Sequence, residues 1–92
     1  MWFVYILYSK RDDNLYVGCS KNLIERIKKH KLGMVPSTRH RRPLILIHCE
    51  KFKSKKEAFK QERFLKSLWA GRFKKKIKQR YLERAKSIRL AN

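Results

Sequence analysis

Five side chains suited to phosphate chemistry are spread through the first two thirds of the 92-residue chain: Tyr5, Tyr16, Arg26, His30 and Glu62. A carboxylate such as Glu62 is a hard oxygen ligand for a divalent cation. The Arg26 guanidinium can neutralise charge that builds on a phosphate under attack. A tyrosine or a histidine can take a proton from an attacking water. The ordinary tyrosine pKa, near 10, is high for that work, but neighbouring cations favour the phenolate, and this chain has many. Together the five types serve phosphodiester hydrolysis. Singly, each has a structural role open to it: core tyrosines, a satisfied core histidine, a solvated arginine, a glutamate paired with a basic neighbour.

The elements that must position them can be read from periodicity. Residues 2–9 (WFVYILYS) form a strand with two apolar faces: Trp2, Val4, Ile6 and Tyr8 on one, Phe3, Tyr5 and Leu7 on the other. A strand of that kind is covered on both sides. Arg11-Asp12-Asp13-Asn14 is turn chemistry, and residues 15–19 return as an antiparallel strand. Tyr16 and Gly18 share one face of it, and a short turn can bring Tyr16 close to Tyr5. Gly18 leaves a bare spot on that face for another group to approach.

Ser20 is placed to cap a helix that runs to about Leu32 and ends at Gly33. Leu23 and Ile27 mark its buried stripe, His30 falls inside that stripe, and Arg26 precedes His30 by one turn on the flank. A loop with Pro36 leads to Pro43 and a third strand, residues 44–52. Ser54-Lys55-Lys56-Glu57 is a capping box opening a helix expected to reach Trp69. Ala58, Leu65 and Trp69 form its apolar stripe with Glu62 in the middle, where a carboxylate is costly unless paired or holding a cation. A last helix from about Arg72 carries Phe73, Ile77, Tyr81 and Ile88 on one side. The expected fold is α+β, of order ββαβαα, with a three-stranded antiparallel sheet flanked by helices. It forms a single domain over residues 1–92, with a core at about 2–70 and a basic C-terminal helix at about 72–90.

Charge narrows the partners. Lys and Arg number 26 against 7 Asp and Glu, for a net charge of +19. Self-repulsion of that size destabilises a compact chain, and a polyanion that releases counterions on binding offsets it. Nucleic acid is the expected partner, ahead of an anionic membrane surface. No apolar run approaches the ~20 residues needed to span a bilayer, and Met1 leads directly into a strand-like segment, so a cytoplasmic protein is expected. Cys19 and Cys49 stand singly, away from any metal-ligand spacing, and read as buried free thiols of a reducing compartment.

Val4-Tyr5-Ile6, followed by Tyr16-Val17-Gly18, resembles the paired signature of the GIY-YIG nuclease superfamily. The later pieces keep that family's order: Asn22-Leu23-Ile24-Glu25-Arg26 with His30 on the first helix, Arg42-Pro43-Leu44 before strand three, then Glu62 and Lys66 on the second helix. The match spans roughly residues 2–70 and is most similar to small stand-alone bacterial members. It is also similar to the nuclease module of the excision-repair incision subunit. Phe3 stands where the first motif usually has Gly, and Val17 replaces an Ile. Many members carry a late active-site Asn, and Asn92, at the end of the chain, is a poor match for it.

The resemblance implies a single-metal endonuclease acting on DNA, weakly selective or structure-directed, with a possible place in repair or recombination. In it Glu62 would bind Mg²⁺ or Mn²⁺, and Tyr5 would be the favoured general base. Tyr16 and His30 would assist or position water, and Arg26 would stabilise the transition state. A non-catalytic nucleic-acid-binding module that keeps the scaffold is the alternative, and an accessory protein targeted by a partner is a third.

Overall fold

The apolar strand Trp2–Ser9 (β1) lies at the centre of the sheet, paired antiparallel with Leu15–Ser20 (β2) on one side and Leu44–Phe52 (β3) on the other. Helices Leu23–Lys31 (α1), Lys55–Lys66 (α2) and Gly71–Ala91 (α3) complete the order ββαβαα expected from the sequence. Short 3-10 turns at Arg39–Arg41 and Leu68–Ala70 precede β3 and α3. This computed structural model describes residues 1–91, with side chains as far as residue 88. Asn92 lies outside the described residues.

Alternation along β1 divides the core in two. Val4 and Ile6 pack with Val17 against Ala58 and Leu65 of α2, Ala70, and Ile77 of α3. Tyr5 and Leu7 face the opposite way, into a smaller cluster with Ile27 of α1 and Leu44 of β3. The register slips between Ile6, opposite His48, and Leu7, opposite Leu46, so Ile47 is an extra residue that bends β3.

The β1–β2 turn is held by its acids. The Tyr8 hydroxyl donates to Asp13 Oδ1 at 2.6 Å, and the Asn14 N–H donates to Asp12 Oδ1 at 2.9 Å. Asp13 takes a φ of 60°, a left-handed conformation that Asp tolerates better than most residues. Arg41 Nε donates to Asp12 Oδ2 at 2.6 Å, and Lys78 Nζ reaches Asp13 Oδ2 at 3.0 Å. The turn is therefore tied to the loop before β3 and to α3.

Several boundaries differ from those read in the sequence. Ser20 still belongs to β2, and Asn22 caps α1 instead. Its Oδ1 accepts the Glu25 N–H at 3.3 Å, while its Nδ2 donates to Glu25 Oε2 at 3.1 Å, and Asn is as good an N-cap as Ser. The expected stop at Gly33 holds, at a φ of +78°. The capping box also holds, with Ser54 Oγ accepting the Glu57 N–H at 3.2 Å.

α2, however, ends at Lys66, because Ser67 adopts an extended ψ of 164°. Trp69 therefore leaves the buried stripe and stands in solvent. On α3, Ile77 is buried and Tyr81 meets the Tyr8 ring at 5.4 Å, but Phe73 and Ile88 are exposed. Both cysteines are free. Cys19 is half-buried, but Cys49 is exposed on the edge strand β3, contrary to the expected burial. Among the described residues no helix is long and apolar enough to cross a membrane.

Candidate functional site

Tyr5 points from the middle of β1 toward α1, where its hydroxyl meets His30 Nε2 at 2.8 Å. On the far side of the imidazole, Nδ1 meets Thr38 Oγ1 at 2.8 Å. All three side chains are sealed from solvent. His30 reaches Tyr5 because it follows Ile27 by three residues on the buried face of α1. Thr38 reaches His30 because the chain after Gly33 doubles back and presses its loop against the same helix. The line Tyr5–His30–Thr38 satisfies every buried polar atom in it, as burial demands.

Tyr16 stands on the same sheet face. Tyr5 pairs with Gly18 and Leu7 with Tyr16, so the two tyrosines sit diagonally across the β1–β2 ladder. Both rings meet the His30 ring edge-on, at centroid separations of 5.6 Å for Tyr5 and 5.3 Å for Tyr16. Tyr16 is only half-buried, so it is the tyrosine that solvent reaches. Gly18 has a definite task. A Cβ there would run into Cζ and Oη of Tyr5, so the phenol lies over bare backbone, as the sequence suggested for some approaching group.

Arg26, half-buried on the flank of α1, approaches the Tyr5 phenol closely enough to act on its ionisation. It also borders an open, polar depression of about 240 Å³, with Ser20, Asn22, Glu25 and Lys29. Glu62 lies on α2, which packs on β1 and β2. It acts electrostatically on the Tyr5 phenol on one face of the sheet and on the Cys19 thiol on the other. Its carboxylate pairs with Lys66 Nζ at 3.2 Å, and the two side chains are 21% and 53% exposed. The pair is a partly solvated one, so Glu62 sits at the open edge of its stripe rather than deep within it.

Ionisation at the centre runs against the expectation from net charge. The Tyr5 phenol is pushed up to about 12, chiefly because burial penalises the phenolate; Arg26 pulls the other way and loses. His30 is held down to about 4, by burial first and then by the Arg26 charge. Tyr5 and His30 are thus both neutral at neutral pH. A neutral imidazole has one donor and one acceptor. The phenol is the more acidic donor, so Tyr5 donates to Nε2 and Nδ1–H donates to Thr38. The anticipated phenolate is absent from the resting protein because desolvation outweighs one guanidinium.

The structure brings Tyr5, Tyr16 and His30 into direct contact, sets Arg26 beside them, and leaves Glu62 at electrostatic range. Thr38 escaped the sequence reading altogether: it lies in a loop with no periodicity, and only the doubling back of that loop reveals its partner.

These features belong to a known class. The chain belongs to the GIY-YIG catalytic domain family, whose model matches residues 1–81, and that family is of nuclease type. Among its relatives are small proteins called UPF0213. The one from Clostridium perfringens is 44% identical over 69 residues, covering 74% of this chain and 73% of its own. The one from Bacillus velezensis is 38% identical over 82 residues, covering 88% and 77%. The solution NMR structure of a UPF0213 protein from Bacillus halodurans superposes with a TM-score of 0.53 at 38% identity, covering 84% of this chain and 82% of that one.

Proposed function

We propose that this protein is a divalent-metal-dependent endonuclease that hydrolyses phosphodiester bonds in DNA, with weak base selectivity or with direction by DNA structure. Cytoplasmic location and a part in repair or recombination belong to the same reading. The observation that carries it is the Tyr5–Tyr16–His30 cluster beside Arg26, in a chain of +19 that belongs to a nuclease-type family.

The donor set suits Mg²⁺ or Mn²⁺. Among the described residues no three His, Cys, Asp or Glu side chains converge, so a cation at Glu62 would have one protein carboxylate. Mg²⁺ is commonly held that way, by one or two carboxylates with waters and substrate phosphates filling the rest. The Glu62 carboxylate is open to solvent, and its Lys66 partner is exposed enough to swing aside. When bound, the cation would supply charge neutralisation at the phosphate.

The chain's own residues divide the remaining work. Arg26 opposes the negative charge that grows on the phosphate in the transition state. In its phenolate form, and once bound substrate admits a water to its buried oxygen, Tyr5 takes the proton of the attacking water, while His30, itself anchored by Thr38, fixes the direction of that oxygen. Tyr16, reached by solvent and packed on the same imidazole, positions the water. With a phenol at about 12, only about one molecule in 10⁵ carries the phenolate at pH 7, so turnover by this route is slow at neutrality and rises with pH.

That same buried, neutral phenol favours a second reading, a nucleic-acid-binding module that keeps the scaffold without turnover. Labelled branched, single-stranded and duplex DNA incubated with Mg²⁺, Mn²⁺ or chelator separates the two. Metal-dependent cleavage is expected. Binding without cleavage under every metal condition supports the module.

A further inference from the structure

Leu68 and Trp69 are the two most exposed large apolar side chains among the described residues, at 99% and 88%. They are consecutive, and they sit on a three-residue turn that joins α2 to α3. The fold makes no use of them: the third residue of the turn, Ala70, supplies the core contact. An exposed aromatic–aliphatic pair on a short turn between two helices is a costly surface unless something covers it.

The surroundings select the occupant. Arg63 and Lys66 precede the turn and Arg72 follows it, all three exposed. Lys66 is also the residue whose ammonium pairs with Glu62, so the turn adjoins the acidic end of the candidate site. From Glu62 to Lys66 the helix advances ~6 Å at ~1.5 Å per residue. The apolar pair follows Lys66 after the single extended residue Ser67. A second copy of this chain is a poor occupant, since it would bring another +19 to the same place. A polyanion with flat apolar faces fits both features: phosphates meet the cations and a base meets the indole.

We propose that the Leu68–Trp69 turn is a stacking platform for an unpaired nucleobase, with the adjoining phosphates held by Arg63, Lys66 and Arg72. The proposal rests on the nucleic-acid-binding part of the function above and gives it a source of structural preference. In a fully paired duplex every base face is already occupied by its neighbours. At a bulge, junction or single-stranded stretch a base face is free, or a step opens cheaply enough for an apolar wedge to enter. Preference for such sites would then come from Trp69 rather than from the Tyr5–His30 cluster.

Intrinsic tryptophan fluorescence of the full chain, in chelator so that nothing is cut, tests this. The probes are a fully paired duplex, the same duplex with one unpaired adenine, and a short oligo-dT. Quenching is expected with the last two. Trp2, half-buried against Phe59 at 5.8 Å, supplies the background signal, which the Trp69→Phe variant isolates. Trp69→Ala should weaken binding to bulged and single-stranded DNA by about tenfold or more while leaving paired-duplex affinity within about twofold, and Trp69→Phe should restore much of the difference. Folding is a small concern at so exposed a position, and a melting curve checks it.

Unchanged Trp69 fluorescence on bound DNA, or equal losses on paired and unpaired probes, overturns the platform while leaving nucleic-acid binding intact. Quenching by phosphatidylserine vesicles but by none of the DNA probes assigns the turn to a membrane surface instead. A sedimentation shift to dimer that Trp69→Ala abolishes assigns it to self-association. Wild-type protein that binds none of the DNA probes removes the nucleic-acid reading itself, and the platform with it.

Discussion

Replacing Gly18 by alanine adds a single methyl group and should disable the centre of the site. The new Cβ would overlap Cζ and Oη of Tyr5, and Tyr5 is boxed in between Leu7, Ile27 and Leu44. Overpacking of this kind costs about 1–3 kcal/mol. If the ring turns to escape, its hydroxyl leaves His30, and a sealed imidazole loses a partner at a further cost of about 1–3 kcal/mol. Alanine returns about 0.4–1 kcal/mol by restricting the unfolded chain. The net loss should be about 2–4 kcal/mol, a large share of the ~5–15 kcal/mol total typical of a domain. Denaturant titration of wild type, Gly18→Ala, Tyr5→Leu and the double variant measures it. Leucine lacks the ring, so Gly18→Ala in that background should cost less than about 0.5 kcal/mol, leaving a coupling of about 1.5 kcal/mol or more. Equal costs in both backgrounds, or a Gly18→Ala protein as stable as wild type, would refute the argument that Gly18 exists to admit the phenol.

Glu62→Gln should abolish metal-dependent cleavage while DNA binding persists. It should change stability by less than about 1 kcal/mol, because its Lys66 partner is exposed and such pairs contribute little; a folded variant that cuts normally ends the metal-ligand assignment. Tyr5→Phe and Arg26→Ala should lower turnover with duplex affinity near wild type, and wild-type cleavage rates in both would return these residues to a structural role. Because Tyr5 must lose a proton at about 12, the rate should climb steadily from pH 7 to 9; a plateau near neutrality points to a different base.

His30 gives a stability test with a definite sign. Its folded pKa, about 4, lies below the 6.5 of the free side chain, so between those values the unfolded chain binds the extra proton. Its contribution is fully present above pH 6.5 and is lost as pH falls toward 4. At ~1.36 kcal/mol per pH unit the loss is at most about 3 kcal/mol. A His30→Gln protein should lack that slope in urea titrations, and identical slopes would contradict a buried neutral imidazole. Binding to any duplex should weaken steeply with salt.

The pairing of Tyr5 with Tyr16 could be read from alternation, since odd positions of β1 and even positions of β2 share a face once the turn is short. His30 could be read from the 3.6-residue period, which put it in line with Leu23 and Ile27. Thr38 could not, because a loop residue has no period and its partner is decided by how the chain after Gly33 folds back. The end of α2 was hidden for a related reason: Ser67 is no strong breaker, and the pattern Ala58, Leu65, Trp69 continues smoothly past the true end. Cys49 read as buried because a lone thiol away from any metal-ligand spacing is usually a core residue, but it stands between His48 and Glu50 on the edge strand β3 and is exposed. The ionisation of Tyr5 was misjudged because net charge can be counted along a chain, whereas desolvation depends on packing in three dimensions.

Hairpin loops are ordinarily where a lineage gains and loses residues most freely. The one between the two tyrosines is not free to do so. Asp12 and Asp13 spend their carboxylates on Arg41 and Lys78, residues 29 and 65 positions away in the chain, and Tyr8 holds Asp13 from within the strand. One added residue would carry one or both acids out of reach, and if the strands slipped by one to absorb it, the register that sets Tyr16 beside His30 would flip. The loop therefore works as a length gauge between the two motifs. Among homologues, length variation should accumulate beyond Tyr81, while the spacing from Tyr5 to Tyr16 stays narrow. Anyone fusing a targeting domain to this scaffold should attach it at the far end of α3 and leave the hairpin intact.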